Sequence, residues 1–252
     1  MKKAVLLLHG WLSDVNDFDN LIPKLNTMYD HIEKVTYSGH GDDDPNNFND
    51  EETFSNLENI FRNLQLQYEI IDVIGFSMGG ALAVYLSQHF AFNKLVLLAP
   101  ANKYLNFKFT LSRLKHFFRT VYLYQKAVIA KDDEAKEQYR TSLENVFEDD
   151  KFSLSFAKEK YLHRYFRNSF KTFRRVIKRV NACTTSIKNP LFIAWGNFDQ
   201  LVPETSPKEL YDICTNENKK FVVYEEMSHT LILAKNSDKL VNDIIDFLGS
   251  IK

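Results

Sequence analysis

The 252-residue sequence predicts an α/β fold: a mostly parallel sheet of about six strands, with a helical cap inserted after the strand ending near Ala99. Three observations carry this expectation. Short, β-branched, continuously apolar runs alternate with segments whose apolar residues recur every three or four positions, the pattern of strands covered by helices on both faces. Seven of the eight glycines (Gly10, Gly39, Gly41, Gly75, Gly79, Gly80 and Gly196) fall just after such runs, where the carboxyl ends of parallel strands form a ligand crevice. The alternation disappears between Ala101 and Lys188, so residues 1–100 and 189–252 are expected to form one core and residues 101–188 the cap.

The elements follow in order. Ala4 to Leu8 is a buried strand, followed by a helix over about Phe18 to Met28 and a short strand near Ile32 to Tyr37. Ser38 to Pro45 is a polar loop. Phe54, Leu57, Ile60, Phe61 and Leu64 mark a helix over about 51–67. The run Ile70, Ile71, Val73, Ile74 is a strand that meets Gly75-Phe76-Ser77-Met78-Gly79, after which Ala81, Leu82, Ala83 and Leu86 begin a helix reaching about Phe90. Lys94 to Ala99 is a strand stopped by Pro100. Within the cap, Leu162, Tyr165, Phe166, Phe170, Phe173, Ile177 and Val180 make the apolar stripe of an amphipathic helix whose other face carries Arg164, Arg167, Lys171, Arg174, Arg175, Lys178 and Arg179. Pro190 opens the strand LFIAW. A helix near 205–214, a strand from Lys220 to Tyr224, a loop with Ser228 and His229, and a helix from about Ser237 to Leu248 complete the chain.

Composition excludes several function classes. The chain is 44% hydrophobic and 26% charged, as expected of a globular domain with one large core. Its two cysteines, Cys183 and Cys214, show neither C-x-x-C spacing nor a metal-ligand histidine pattern, so a disulfide scaffold or zinc site is not expected. A reducing, cytoplasmic setting is. The short run in MKKAVLLLHGW passes directly into His9-Gly10 and reads as a strand rather than a leader. Charge is segregated: residues 101–188 hold 20 of the 32 Lys and Arg but 9 of the 33 Asp and Glu, a net of +11 against −12 for the remainder. Such a basic cap either pairs with the acidic body or gives a weak, salt-sensitive contact with an anionic membrane. No nucleic-acid motif accompanies it.

The chemistry centres on Gly75-Phe76-Ser77-Met78-Gly79. A G-x-S-x-G turn between strand and helix needs glycine where helix presses on strand, and it lifts the serine out above the sheet with the next backbone N–H, that of Met78, beside it. Serine becomes a nucleophile only with a base and an orienting acid, and the chain order Ser77, Asp199, His229 supplies them after later strands. On the stretches LLLHGW, SGHGDDDP, GFSMGG, WGNFDQLVP and EMSHT, the sequence resembles the α/β-hydrolase family along essentially its whole length. In motif wording it is most similar to that family's bacterial carboxylesterases and monoacylglycerol lipases. It starts at the strand before His9-Gly10, without the first two strands many relatives carry, and its cap is its own. The resemblance implies an α/β-hydrolase fold in which Ser77 attacks, His229 acts as general base, Asp199 orients it, and the backbone N–H groups of Trp11 and Met78 form the oxyanion hole. Trp11, Met78, Leu201 and Val202 would line an apolar substrate wall. No cofactor or metal is implied.

The expected activity is hydrolysis of carboxylic esters, of short to medium acyl chains or monoacylglycerols, through an acyl-Ser77 intermediate. The same three residues would also serve a thioesterase, lactonase, amidase, acyltransferase or carbon–carbon hydrolase. From another class, a hydrolase-shaped binding protein would keep the pocket and lose turnover.

Overall fold

The computed structural model describes residues 1–103, 166–199, 201–234 and 236–250. Backbone contacts gather residues 1–105 and 164–252 into one compact unit. The expected helical pattern between 104 and 165 lies outside the described residues.

Six strands, β1 (Lys3–Leu8), β2 (His31–Val35), β3 (Ile70–Phe76), β4 (Leu95–Leu98), β5 (Leu191–Gly196) and β6 (Lys219–Tyr224), form one sheet in the order β2-β1-β3-β4-β5-β6. Every neighbouring pair is parallel. The unbroken apolar runs follow from this placement. In β1, Ala4, Leu6 and Leu8 enter the apolar layer on one face and Val5 and Leu7 the layer on the other; Leu95 and Leu97 against Val96 and Leu98 divide β4 in the same way.

The first layer holds α2 (Asp50–Gln67), α3 (Met78–His89), α4 (Phe166–Cys183) and α5 (Thr205–Asp212), and the second α6 (Asp238–Gly249) with Phe18, Leu21 and Leu25. The amino-terminal helix expected over Phe18 to Met28 is broken up. A 3-10 turn, Val15–Phe18, is capped by the Asp14 carboxylate on Asn16 N–H, and a single turn, α1 (Ile22–Leu25), follows with Pro23 at its start. Proline suits a first turn but removes a donor, and Asn26 closes the element one turn later.

The amphipathic stripe at 166–183 is helical, and it packs on α3 and α2. Phe173, Val176, Ile177 and Val180 are fully buried in the first layer, so this stretch is built into the body that residues 1–105 also form. Two of its cations pair with the acidic first turn of α2: Arg175 grips Asp50 through Nε and Nη2 at 2.8–3.0 Å, and Arg179 Nη1 donates to Glu51 at 2.8 Å. The Arg179 guanidinium also lies over the Phe54 ring, 4.2 Å from its centroid. Among the described residues no helix is long and apolar enough to cross a membrane.

Candidate active site

The chain leaves β1 for β2 on one side of the sheet and returns to β3 on the other, so the carboxyl ends of β1 and β3 flank the point where strand order reverses. Parallel α/β sheets open a crevice there. Ser77 sits on its rim, between β3 and α3, with φ 54° and ψ −114°. This left-handed backbone is uncommon for a residue with a side chain. Leu98 O holds its N–H at 2.9 Å, and its own carbonyl accepts from Ala81 and Ala101. A Cβ on Gly79 would lie 1.9 Å from Leu8 O, and one on Gly75 2.3 Å from Gly79 O, so the turn closes only with glycine at both positions. The other described non-glycine residues with positive φ, Leu12, Ala99 and Glu226, follow β1, β4 and β6. Strained backbone thus gathers at the carboxyl end of the sheet.

Three side chains from three loops are linked in series. His229 Nε2 lies 2.9 Å from Ser77 Oγ, and His229 Nδ1 lies 2.8 Å from Asp199 Oδ2. Asp199 Oδ1 accepts the backbone N–H groups of Leu201 and Val202, both at 2.8 Å, which leaves Oδ2 to take the imidazole Nδ1–H. That fixes the tautomer: Nε2 faces Ser77 with a lone pair and can receive the hydroxyl proton. All three residues are less than 10% exposed, with Ser77 at 6%, Asp199 at 8% and His229 at 9%.

The loops bearing acid and base are laced together. Phe198 N–H donates to Met227 O at 3.0 Å, and Asn197 Oδ1 accepts from Glu226 N–H at 2.8 Å. A Cβ on Gly196 would lie 2.2 Å from Met227 O and 2.8 Å from Ser228 O, so only glycine lets the two loops come this close.

The two backbone N–H groups expected to serve Ser77 come from α3 and from the loop after β1, where a Cβ on Gly10 would lie 3.5 Å from Ser77 Cβ. Met78 is the first residue of α3, and the N–H of a first helical residue has no acceptor within its own helix. Trp11 N–H belongs to the Gly10–Trp11 peptide, whose carbonyl accepts from His9 Nδ1 at 2.8 Å; in a trans peptide the N–H points the opposite way. The Asp17 carboxylate anchors the same loop, taking Gly10 N–H at 3.1 Å and the Ser13 hydroxyl at 2.5 Å. Of the four side chains expected along a substrate wall, Trp11 and Leu201 are half-buried. Met78 and Val202 are fully enclosed in the first apolar layer. Among the described residues no group of His, Cys, Asp and Glu is arranged to hold a metal ion.

Sequence reading missed Asp17, Asn197 and Ser169. Asp17 left a faint signal, lying four residues after Ser13 in a polar stretch just beyond His9-Gly10. Asn197 and Ser169, which accepts from the Trp11 indole, left none, because each acts on a partner remote in sequence.

Residues 1–236 match the family described as serine aminopeptidase, S33. A carboxylesterase of Bacillus subtilis (strain 168) is 25% identical over 250 residues, covering 98% of this chain and 92% of that one. Among solved structures, a monoacylglycerol lipase of Paleococcus ferrophilus superposes with a TM-score of 0.64 at 15% identity, covering 97% of this chain and 93% of its own. A soluble variant of the monoglyceride lipase of Saccharomyces cerevisiae, in complex with a substrate analog, reaches 0.66 at 13% identity, covering 99% and 86%. At such identities the two structures establish a common fold.

Proposed function

Because the chain belongs to the family described as serine aminopeptidase, S33, a serine-hydrolase family of the α/β-hydrolase fold, we propose that it cleaves carboxylic esters, of short to medium acyl chains or monoacylglycerols, through an acyl-Ser77 intermediate. The observation that carries this is the unbroken series Asp199–His229–Ser77 at a strained turn on the crevice. As His229 Nε2 takes its proton, Ser77 Oγ attacks the ester carbonyl carbon. Asp199 Oδ2 steadies the resulting imidazolium. The carbonyl oxygen, now negative, receives the N–H groups of Trp11 and Met78, which are rigid before charge develops and so favour the transition state over the ground state. Collapse of the tetrahedral adduct breaks the carbon–oxygen bond, and His229 passes its proton to the departing alcohol. Water then attacks acyl-Ser77 with His229 again as base, releasing the carboxylic acid and restoring the hydroxyl.

The preference for esters is supported by the similarity to a carboxylesterase and to the structures of a monoacylglycerol lipase and a monoglyceride lipase, together with the apolar, half-buried Trp11 and Leu201 at the site. A fluorophosphonate probe tests the nucleophile, since only an activated serine is labelled. The wild-type protein should label and hydrolyse p-nitrophenyl and glyceryl esters of graded acyl length, and Ser77→Ala should do neither. Labelling that persists in Ser77→Ala would overturn the assignment.

A further inference from the structure

Trp11 is also held by α4. Its indole Nε1 donates to Ser169 Oγ at 2.8 Å, its ring stacks on Phe173 with centroids 5.0 Å apart and planes 25° apart, and it tilts against Phe170 at 5.6 Å. Ser169 and Phe173 are each 1% exposed. This is a built contact inside the body, joining residues 158 positions apart in sequence. Since α4 packs on α3, the helix that Met78 opens, both N–H groups assigned to the oxyanion belong to one packed assembly, Met78 directly and Trp11 through α4.

We infer that Ser169 and Phe173 are positioning residues for ester hydrolysis, acting through the indole to set the direction of the Trp11 backbone N–H. The inference rests on the oxyanion role proposed for that N–H. The loop after β1 is fixed at its start, by His9 on the Gly10 carbonyl and Asp17 on the Gly10 N–H. Leu12, immediately beyond Trp11, has φ 57°, a conformation that persists only where its surroundings enforce it. The Gly10–Trp11 peptide that carries this N–H is therefore held at its Gly10 end, and α4 holds its other end, the Trp11 Cα, through the side chain. A donor contributes to an oxyanion only if it is already aimed at where the charge will develop. Loosening the indole therefore weakens an interaction made in the transition state and leaves ground-state binding in place, so the loss appears in kcat rather than KM.

Ser169→Ala is expected to lower kcat on p-nitrophenyl esters about tenfold, the weight of one misaimed hydrogen bond, with KM within about twofold. The affinity of an alkyl trifluoromethyl ketone, whose hemiketal oxygen occupies the oxyanion position, should fall by the same factor as kcat/KM. Trp11→Phe keeps a ring against Phe173 and loses the indole N–H, so it should match Ser169→Ala, and the double variant should be no slower than the slower single one. If Ser169→Ala fails to fold, Trp11→Phe carries the same measurements. Unchanged kcat and ketone affinity in a folded variant would overturn the inference, as would losses that multiply in the double variant. A wild-type protein that neither labels with fluorophosphonate nor cleaves esters would overturn the hydrolase reading, and this inference with it. A wild-type protein that labels while Ser169→Ala labels just as fast overturns this inference alone.

Discussion

Ser77 occupies backbone that a residue with a Cβ ordinarily avoids, at a cost on the order of 1–3 kcal/mol. Two glycines with no room for a side chain and a backbone bond to Leu98 hold it there. In this conformation the hydroxyl lies 2.9 Å from His229 Nε2. Replacing Ser77 with Ala removes the proposed nucleophilic hydroxyl and keeps the Cβ that packs in this buried turn, so ester turnover should fall by at least about 10⁵-fold with thermal unfolding little changed. His229→Ala should lose nearly as much. Asp199→Asn should lose less, on the order of 10³- to 10⁴-fold, because the wrong tautomer is favoured but the base remains. Gly196 tests the geometry from behind. A Cβ there would meet the carbonyls of Met227 and Ser228, and the loop bearing His229 must retreat. Gly196→Ala is expected to cost about 1–3 kcal/mol in denaturant unfolding, and at least about tenfold in kcat, since displacing a catalytic group by an ångström can cost more than that.

At the scale of elements, α4 connects the most with the least warning. Its apolar stripe was legible from the spacing of Phe170, Phe173, Ile177 and Val180, but periodicity tells which face is buried and says nothing of what covers it. That the stripe rests on α3 and α2, and that Trp11 stacks on it, depends on contacts between segments far apart in sequence. The opposite error arose at the first helix: Leu21, Ile22 and Leu25 have helical spacing, yet Pro23 and the Asp14 cap divide the stretch into two single turns. The pairing of α4 with α2 has a pH signature. The bond from Arg175 lowers the Asp50 carboxyl below its ordinary value of 3.8. With the folded value below the unfolded one, the pair's contribution is complete above that ordinary value and is lost as pH falls through the folded one. Arg175 is 57% exposed, so the contribution is held to about 0.5–1 kcal/mol. Asp50→Asn should therefore lower stability by that amount at pH 7 and by less at pH 2, which urea unfolding at the two pH values would check. An equal loss at both would mean that helix capping or packing, not charge, ties α2 to α4.

Across the whole molecule the two ends of the sheet do different work, and they were unequally legible. At the carboxyl ends, Ser77, Asp199 and His229 stood out because each sits in a short stretch after a strand with a fixed chemical meaning, and the structure brings all three within hydrogen-bonding distance. The residues supporting them, Asp17, Asn197 and Ser169, are ordinary polar residues whose roles exist only in three dimensions. At the amino ends the same holds for Lys94, just before β4. It is 3% exposed and donates through Nζ to the carbonyls of Phe247, Leu248 and Ser250, closing the carboxyl end of α6. Its backbone N–H goes to Asp72, whose other oxygen takes the Tyr29 hydroxyl, and burial raises the Asp72 carboxyl above its usual range. A positive charge at a helix carboxyl end opposes the negative pole of the helix and satisfies carbonyls that have no partner within it. Lys94→Met keeps most of the apolar stem and removes the ammonium, leaving the Leu248 and Ser250 carbonyls without this donor and Phe247 O with the Ser250 hydroxyl. The expected cost is about 1–3 kcal/mol, measured as a lower urea midpoint and faster hydrogen exchange in α6. Because Lys94 stands at the far end of the strands from Ser77, fluorophosphonate labelling and kcat of the folded variant should equal those of the wild type. A loss of kcat without a loss of stability would show instead that the two ends of the sheet are coupled and that Lys94 acts on the candidate site.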